Sequence, residues 1–365
     1  MHRDQLVQSI RLSDKETVNQ LLIKYPKFIG YEIEPSKDTP LHLAVYCPPP
    51  EKCNIESLPE MLLKFKADPS ITNKYGDNVA HVSSMQPHAI YYLKLLLSYQ
   101  HESICTLTND SKETILHLAT YSGYHDNAKF ILETFPNLVN EKNIQGNTPL
   151  HIACYYDDIK LIKLLIDFGH ASLENCNELD ESPIHVAASR GNIEIFNLLL
   201  DKLIQSQDLF EKVDKCGTIL LVAAEFQQVE IILSLLSTIE VKLSDQYVKK
   251  AVNIQDKEGK SLLHKLCKDK PPSELKRSIP EEIFHRTNIH SLVQNLIDKN
   301  ADVNISCYKQ TTALFAAVKS QQIELTTLLL KNNISPNSVD IYRCTALHMA
   351  SELNDIKIIR LLVNA

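Results

Sequence analysis

Apolar residues recur along the chain at helical rather than strand spacing, in short blocks separated by polar turns. From Ile159 to Phe168, the residues Leu161, Ile162, Leu164 and Leu165 form one apolar stripe and predict an amphipathic helix. A shorter helix is predicted just before it. Thr148 is a good N-cap, because its hydroxyl can accept a free backbone N–H of the first turn. Pro149 stands at the first helical position, where its missing donor costs nothing. Leu150 and Ala153 share a face, and the small Ala keeps this helix thin enough for close stacking. Gly169 is predicted to end the second helix with a left-handed residue. The polar run Asn175 to Asp180 then projects as a turn before the next cap, Ser182.

The unit repeats. Thr39-Pro40-Leu41-His42-Leu43-Ala44 returns as Thr114-Ile115-Leu116-His117-Leu118-Ala119, as Thr148-Pro149-Leu150-His151-Ile152-Ala153, as Ser182-Pro183-Ile184-His185-Val186-Ala187 and as Thr345-Ala346-Leu347-His348-Met349-Ala350. Weaker copies begin at Asn78, Thr218, Ser261 and Thr312, so the steps between the nine starts are 39, 36, 34, 34, 36, 43, 51 and 33. Two helices of this size cannot bury their apolar faces alone, so neighbouring units must stack to make a core. The phrase and its period resemble the ankyrin repeat, whose unit is about 33 residues. The resemblance runs from about Asp4 to Ala365. It implies an all-α solenoid of helix-turn-helix repeats, with projecting turns, a concave inner-helix face and almost no regular strand.

Residues 1–38 carry Leu6, Ile10, Val18, Leu21 and Leu22 without the phrase, and read as a polar N-terminal capping helix pair. Residues 39–365 then hold nine repeats. Inserts are expected near 47–57, 240–256 and 268–288, as exposed loops on one face. The prolines of the last insert forbid a continuous helix. The final helix, from Ile358 to Ala365, is apolar to its last turn, which leads to the expectation that more protein follows it or another chain covers it.

Composition narrows the function. The net charge of −7, from 38 Lys+Arg against 45 Asp+Glu, argues against a general nucleic-acid binder. No apolar stretch approaches the ~18 residues of a membrane span. The nine cysteines form no C-x-x-C pair and read as free thiols of a reducing compartment. A cytoplasmic location follows, with the nucleus as the alternative. With only 8 Gly and no Gly-rich phosphate loop, no nucleotide site is visible.

Candidate chemistry dissolves into structure. Seven of the 14 histidines (His42, His81, His117, His151, His185, His264 and His348) occupy the fourth place of the phrase. There the family resemblance implies that each imidazole bridges the capping hydroxyl and the backbone of the next repeat. The remaining histidines show no ligand spacing. Asp157 and Asp158 suit the N-terminus of a helix better than an acid pair. No base is placed beside Cys154, Cys216, Cys267 or Cys344. No catalytic residue, metal or cofactor is expected, and the chain does not read as an enzyme.

What remains is surface. The resemblance implies that partners touch the turn tips and the exposed ends of the inner helices. The seventh and eighth places after each start hold aromatic residues and Met mostly in the N-terminal half. Tyr46, Tyr75, Met85, Tyr121, Tyr155, Tyr156, Arg190 and Phe226 are the candidate partner-binding residues. The expected function is a monomeric protein–protein interaction scaffold, such as an inhibitor of Rel-type transcription factors. The alternative is the N-terminal cytosolic array of a larger protein, such as a transient-receptor-potential-type channel or a signalling enzyme. Leu296, Asp302 and Asn304 also match the spacing that asparaginyl hydroxylases of the hypoxia pathway favour in ankyrin arrays, which implies Asn304 as an acceptor. The plainer reading is that Asp302 and Asn304 shape a turn. The degenerate copy at Ser261, with Lys265 and Leu266 in place of an apolar residue and Ala, predicts a loose junction there.

Overall fold

The computed structural model describes residues 2–49, 56–205, 213–242, 245–268 and 286–365. Residues 50–55 of the first expected insert, 269–285 of the third and the Cys216 side chain lie outside the described residues. The chain divides into two units, Met1–Pro183 and Ile184–Ala365.

In the first unit, paired helices follow one another: His2–Arg11 with Lys15–Lys24, Pro40–Ala44 with Leu58–Lys64, and Val79–Ser84 with Ala89–Ser98. Ile115–Ser122 then pairs with His125–Thr134, and Pro149–Tyr155 with Ile159–Lys163. In the second unit the pairs are Pro183–Arg190 with Ile193–Gln205 and Val213–Glu225 with Val229–Lys242. Leu262–Leu266 and Arg286–Asp298, Ala313–Lys319 and Ile323–Lys331, and Ala346–Glu352 and Ile356–Val363 complete it. Within each unit the first helices of successive pairs pack on one another as an inner layer, and the second helices form an outer one. Among the described residues there is no strand, only the isolated bridges Ile33–Asp38, Gln255–Ser261 and Val339–Thr345. The all-α stacked-repeat architecture expected from the sequence is the one observed.

The phrase explains the stacking. Its third residue enters the core, with Leu116, Leu150 and Leu314 fully buried. Its sixth, Ala44, Ala119, Ala153, Ala317 or Ala350, is equally buried and lets adjacent inner helices approach. Its histidine ties both ends. His42, His117, His151, His264 and His348 take the cap's backbone N–H on Nδ1 at 3.1–3.2 Å and the cap hydroxyl at 2.8–2.9 Å. In the first four of these, Nε2 donates to a carbonyl of the following repeat: Asp77, Asn147, Glu181 and Thr311, at 2.8–3.1 Å. This arrangement requires the neutral ring with its proton on Nε2.

The turns form a second seam. The side-chain oxygens of Asn73, Asn109, Asn143 and Asn177 each accept two backbone N–H groups of their own turn at 2.9–3.1 Å. One backbone bond then joins each turn to the next, as from Ile144 N to Ser111 O at 2.8 Å. At Gly146 the backbone is left-handed and a Cβ would lie 2.7 Å from Glu178 N, so that turn requires glycine.

Several sequence-based expectations need correction. Gly169 is right-handed at φ −81°, and the left-handed residue is His170 at φ 54°. The Leu164–Phe168 segment is a π turn, which delays the reversal by one residue. The insert near 240–256 is no loop. Asp245–Val252 is a helix that buries Val248, Ala251 and Val252 against Val213–Glu225 and Val229–Lys242. Thr218 is not a cap but lies inside Val213–Glu225. Its phrase has Leu221 in the histidine's place, so no ring nitrogen waits for the Thr218 N–H, and the helical ladder supplies an acceptor instead. His185 Nε2 accordingly meets the Thr218 hydroxyl, at 3.0 Å, rather than a carbonyl.

The Ser261 repeat is not loose on its described side. Leu266 is fully buried. Lys265, 13% exposed, pairs with Glu225 at 2.8 Å and Asp256 at 2.9 Å. Lys268 adds a second cation to Glu225 at 2.8 Å. Burial opposes the Lys265 charge, but the two carboxylates outweigh it and its pKa is raised.

Candidate partner-binding face

Tyr121 sits in the last turn of its inner helix, and Tyr155 and Tyr156 end the next inner helix. The stacking of the two helices brings the three rings together. Tyr121 meets Tyr156 edge-on at 5.9 Å between centroids, and Tyr155 meets Tyr156 edge-on at 5.3 Å. They are nonetheless 37%, 48% and 55% exposed for Tyr121, Tyr155 and Tyr156. Aromatic side chains left this exposed offer apolar surface to a ligand. The Tyr121 hydroxyl lies close to the Glu113 carboxylate and the Asn143 side chain. Burial first, and the Glu113 charge second, raise its pKa, so it stays a neutral donor at physiological pH.

The other candidates are placed separately. Tyr46 is exposed at the end of the first full repeat's inner helix; burial and then the Asp38 and Asp77 carboxylates raise its pKa. Met85, which follows Val79–Ser84, is half-buried. Tyr75 is an exposed turn tip with the Lys74 ammonium 4.9 Å from its ring centroid. Arg190 and Phe226 belong to the second unit and are half-buried there.

The sequence reading missed a second set of exposed rings. Tyr308 and Tyr342, 76% and 79% exposed, stand on turns of the second unit joined by the bond from Ile341 N to Lys309 O at 3.2 Å. Counting turn positions exposes part of this set. Tyr75 lies two residues after Asn73, which accepts its N–H, and Tyr342 lies two after Asp340, which does the same.

The remaining polar clusters hold the fold together. Burial pushes the Cys105 and Cys267 thiols up to about 12 and raises Cys154 as well, which leaves them un-ionised and poor nucleophiles. Asp158 caps its helix through Leu161 N at 3.0 Å and meets His125 Nε2 of the preceding repeat at 2.8 Å. Asp157 is the left-handed residue between the two helices. Among the described residues no group of three His, Cys, Asp or Glu is placed to hold a metal ion, and no helix is long and apolar enough to cross a membrane. Asn304 is exposed and bridges to the next repeat, accepting from Ser335 N at 3.0 Å.

Comparison with known proteins agrees with this architecture. A 35% identical segment of 78 residues, 21% of this chain, matches 18% of the target of rapamycin complex 2 subunit AVO2 of Saccharomyces cerevisiae. A putative ankyrin repeat protein of fowlpox virus, FPV014, is 28% identical over 28% of this chain and 23% of its own length. The mouse serine/threonine-protein kinase TNNI3K is 29% identical over 28% of this chain and 12% of its own. The chain thus spans less than a quarter of the length of these curated relatives. The family described as ankyrin repeats (3 copies), generally non-enzymatic and built for protein–protein interaction, matches residues 51–140, 133–208, 171–246 and 284–365. With that match covering most of its length and the capped, histidine-tied helix pairs carrying it, the chain belongs to the ankyrin repeat family.

Proposed function

We propose that the chain is a scaffold that holds a protein partner on the inner-helix ends of its first unit, with turn tips such as Tyr75 assisting. The observation that carries this reading is the Tyr121–Tyr156–Tyr155 cluster. Three aromatic rings, joined through Tyr156, stay exposed to solvent while the helices beneath them are fixed by buried Leu116, Leu150 and the His117 and His151 ties. Exposed aromatic side chains on a rigid support lose little entropy on binding and are typical interface anchors. The test places a photo-crosslinking amino acid at Met85, at the end of the inner helix that packs on Ile115–Ser122, and captures partners in cells. Crosslinks that vanish when Tyr121 and Tyr155 are replaced by Ala support the reading. Crosslinks that persist unchanged in that variant sink it.

A second reading, an array within a larger signalling protein, draws on one relative. The segment similar to this chain makes up 12% of a protein kinase. The intact mass of the endogenous protein tests it: a mass near the 41.4 kDa of this chain removes the second reading.

A further inference from the structure

We propose that the Tyr121–Tyr155–Tyr156 face docks a basic segment of a protein partner, rich in arginine or lysine. The inference rests on the scaffold reading and gives the partner its chemistry.

The negative charge of the chain is not spread evenly. Residues 1–100 carry 11 acidic and 11 basic residues, and 184–365 carry 21 and 22. Residues 101–183 carry 13 acidic residues against 5 basic ones. That stretch contains the three rings, so the exposed aromatic face lies in the chain's one strongly acidic region.

The carboxylates keep the period of the repeats. The residue just before each cap is Asp38, Asp77, Glu113 and Glu181 in the first unit, interrupted only by Asn147. In the second unit the same place, before Ser261, Thr312 and Thr345, holds Lys260, Thr311 and Cys344. Tyr46 follows Asp38 and Tyr121 follows Glu113 by eight residues, whereas Tyr155 and Tyr156 follow the neutral Asn147 by eight and nine, so Tyr121 is the ring of the cluster that shares its repeat with a carboxylate at this place. The Tyr121 ring and the Glu113 carboxylate, at the two ends of one inner helix, are close enough that the carboxylate raises the Tyr121 pKa. Glu113 also accepts from Asn109 at 3.1 Å, and Glu181 from Asn177 at 3.5 Å. These donors are neutral amides, and burial raises the Glu181 pKa. Asp38 and Asp77 are buried, so the carboxylates that a cation from outside can reach are the half-buried Glu113 and Glu181. In the second unit, Glu225 at the seventh place is already neutralised by Lys265 and Lys268.

A guanidinium or ammonium group satisfies both halves of such a pair. It packs against an exposed tyrosine ring and pairs with a carboxylate near it. An apolar ligand would leave the carboxylates desolvated without a partner, and an acidic one would be repelled.

The test uses the whole chain and three fluorescent peptides of equal length: repeats of Arg-Lys-Ser-Gly, the same with Glu for each cation, and the same with Gln. Fluorescence anisotropy should show binding of the basic peptide alone. The Tyr121→Ala/Tyr155→Ala/Tyr156→Ala variant should weaken it by about tenfold or more, and Glu113→Gln by about threefold. Tyr342→Ala, in the second unit, should leave it unchanged. If the triple variant unfolds by circular dichroism, Tyr155→Ala alone serves, since that ring is half exposed. No binding of the basic peptide, or equal binding after loss of the rings, overturns the inference. A cellular partner that crosslinks at Met85 but contacts the face through a neutral or acidic segment also overturns it, while the scaffold reading stands.

Discussion

Thr312 and Phe315 occupy the places that other repeats fill with a hydroxyl cap and its histidine, and the Thr312 hydroxyl is buried without a hydrogen-bond partner. Phe315 gives its repeat a buried ring in exchange, but no ring nitrogen. Thr148, by contrast, meets His151 Nδ1 at 2.8 Å. The same substitution should therefore act differently at the two sites. Thr148→Val strands His151 and should cost about 1–2 kcal/mol, whereas Thr312→Val removes an unsatisfied hydroxyl and should be neutral or stabilising. Urea unfolding midpoints compare them, and a comparable loss at both sites would contradict the account.

Acid should loosen the first unit as the pH falls below 6.5. Burial lowers the pKa of His81, His117 and His151 to about 4, against 6.5 for an exposed ring. Depressed histidine pKa values mean that the unfolded chain binds protons the folded chain refuses. Stability is then complete above pH 6.5 and falls as the pH drops toward 4, by up to about 1.4 kcal/mol per pH unit for each ring. Midpoints measured at pH 7.5 and pH 5 should differ clearly, and His117→Gln should reduce the difference. A flat profile between those values would show that the rings are not held neutral.

How much of this was legible depends on how local each determinant is. The caps at Thr39 and Thr148, the buried Leu150 and Ala153, and the histidine ties follow from contacts within one phrase or between equivalent places of adjacent phrases. A period read from the sequence carries them directly. The helix Asp245–Val252 was hidden because its apolar residues are few and its neighbours in space, Val213–Glu225 and Val229–Lys242, give them a surface to cover. His170 took the left-handed place from Gly169 because a π turn changed the count. The Tyr121–Tyr156 contact was approachable by position counting, but Glu113 entered only with the direction of the Tyr121 side chain.

Lys265 illustrates a residue whose type misled. A lysine where the phrase is usually apolar predicts a weak core, yet the ammonium is shared by Glu225 and Asp256. Lys265→Ala removes the cation between two partly buried carboxylates. After allowance for their partial exposure, the cost should be about 1–2 kcal/mol. It should shrink at high salt, since ions from solution then screen the two carboxylates left behind. Thermal melts at low and high salt check both parts, and an unchanged melt for Lys265→Ala would remove the triad from the list of stabilising contacts.

Asn304 is held on both sides. Its own N–H donates to Asp302 Oδ1 at 2.8 Å, its Nδ2 donates to Asn333 O at 3.4 Å, and its Oδ1 accepts from Ser335 N. Asn304→Ala should therefore cost about 1 kcal/mol and speed hydrogen exchange at the Ser335 amide. The same bridge bears on the proposal that Asn304 is a hydroxylation site. An asparaginyl hydroxylase must draw the segment into its cleft, which requires the bridge to open. In the intact chain Asn304 should gain an oxygen slowly, and in a peptide of residues 290–312 much faster, as read by mass spectrometry of the digested products. No oxygen on Asn304 in the peptide would eliminate the site. Equal rates in peptide and chain would show that the bridge to Ser335 offers no protection.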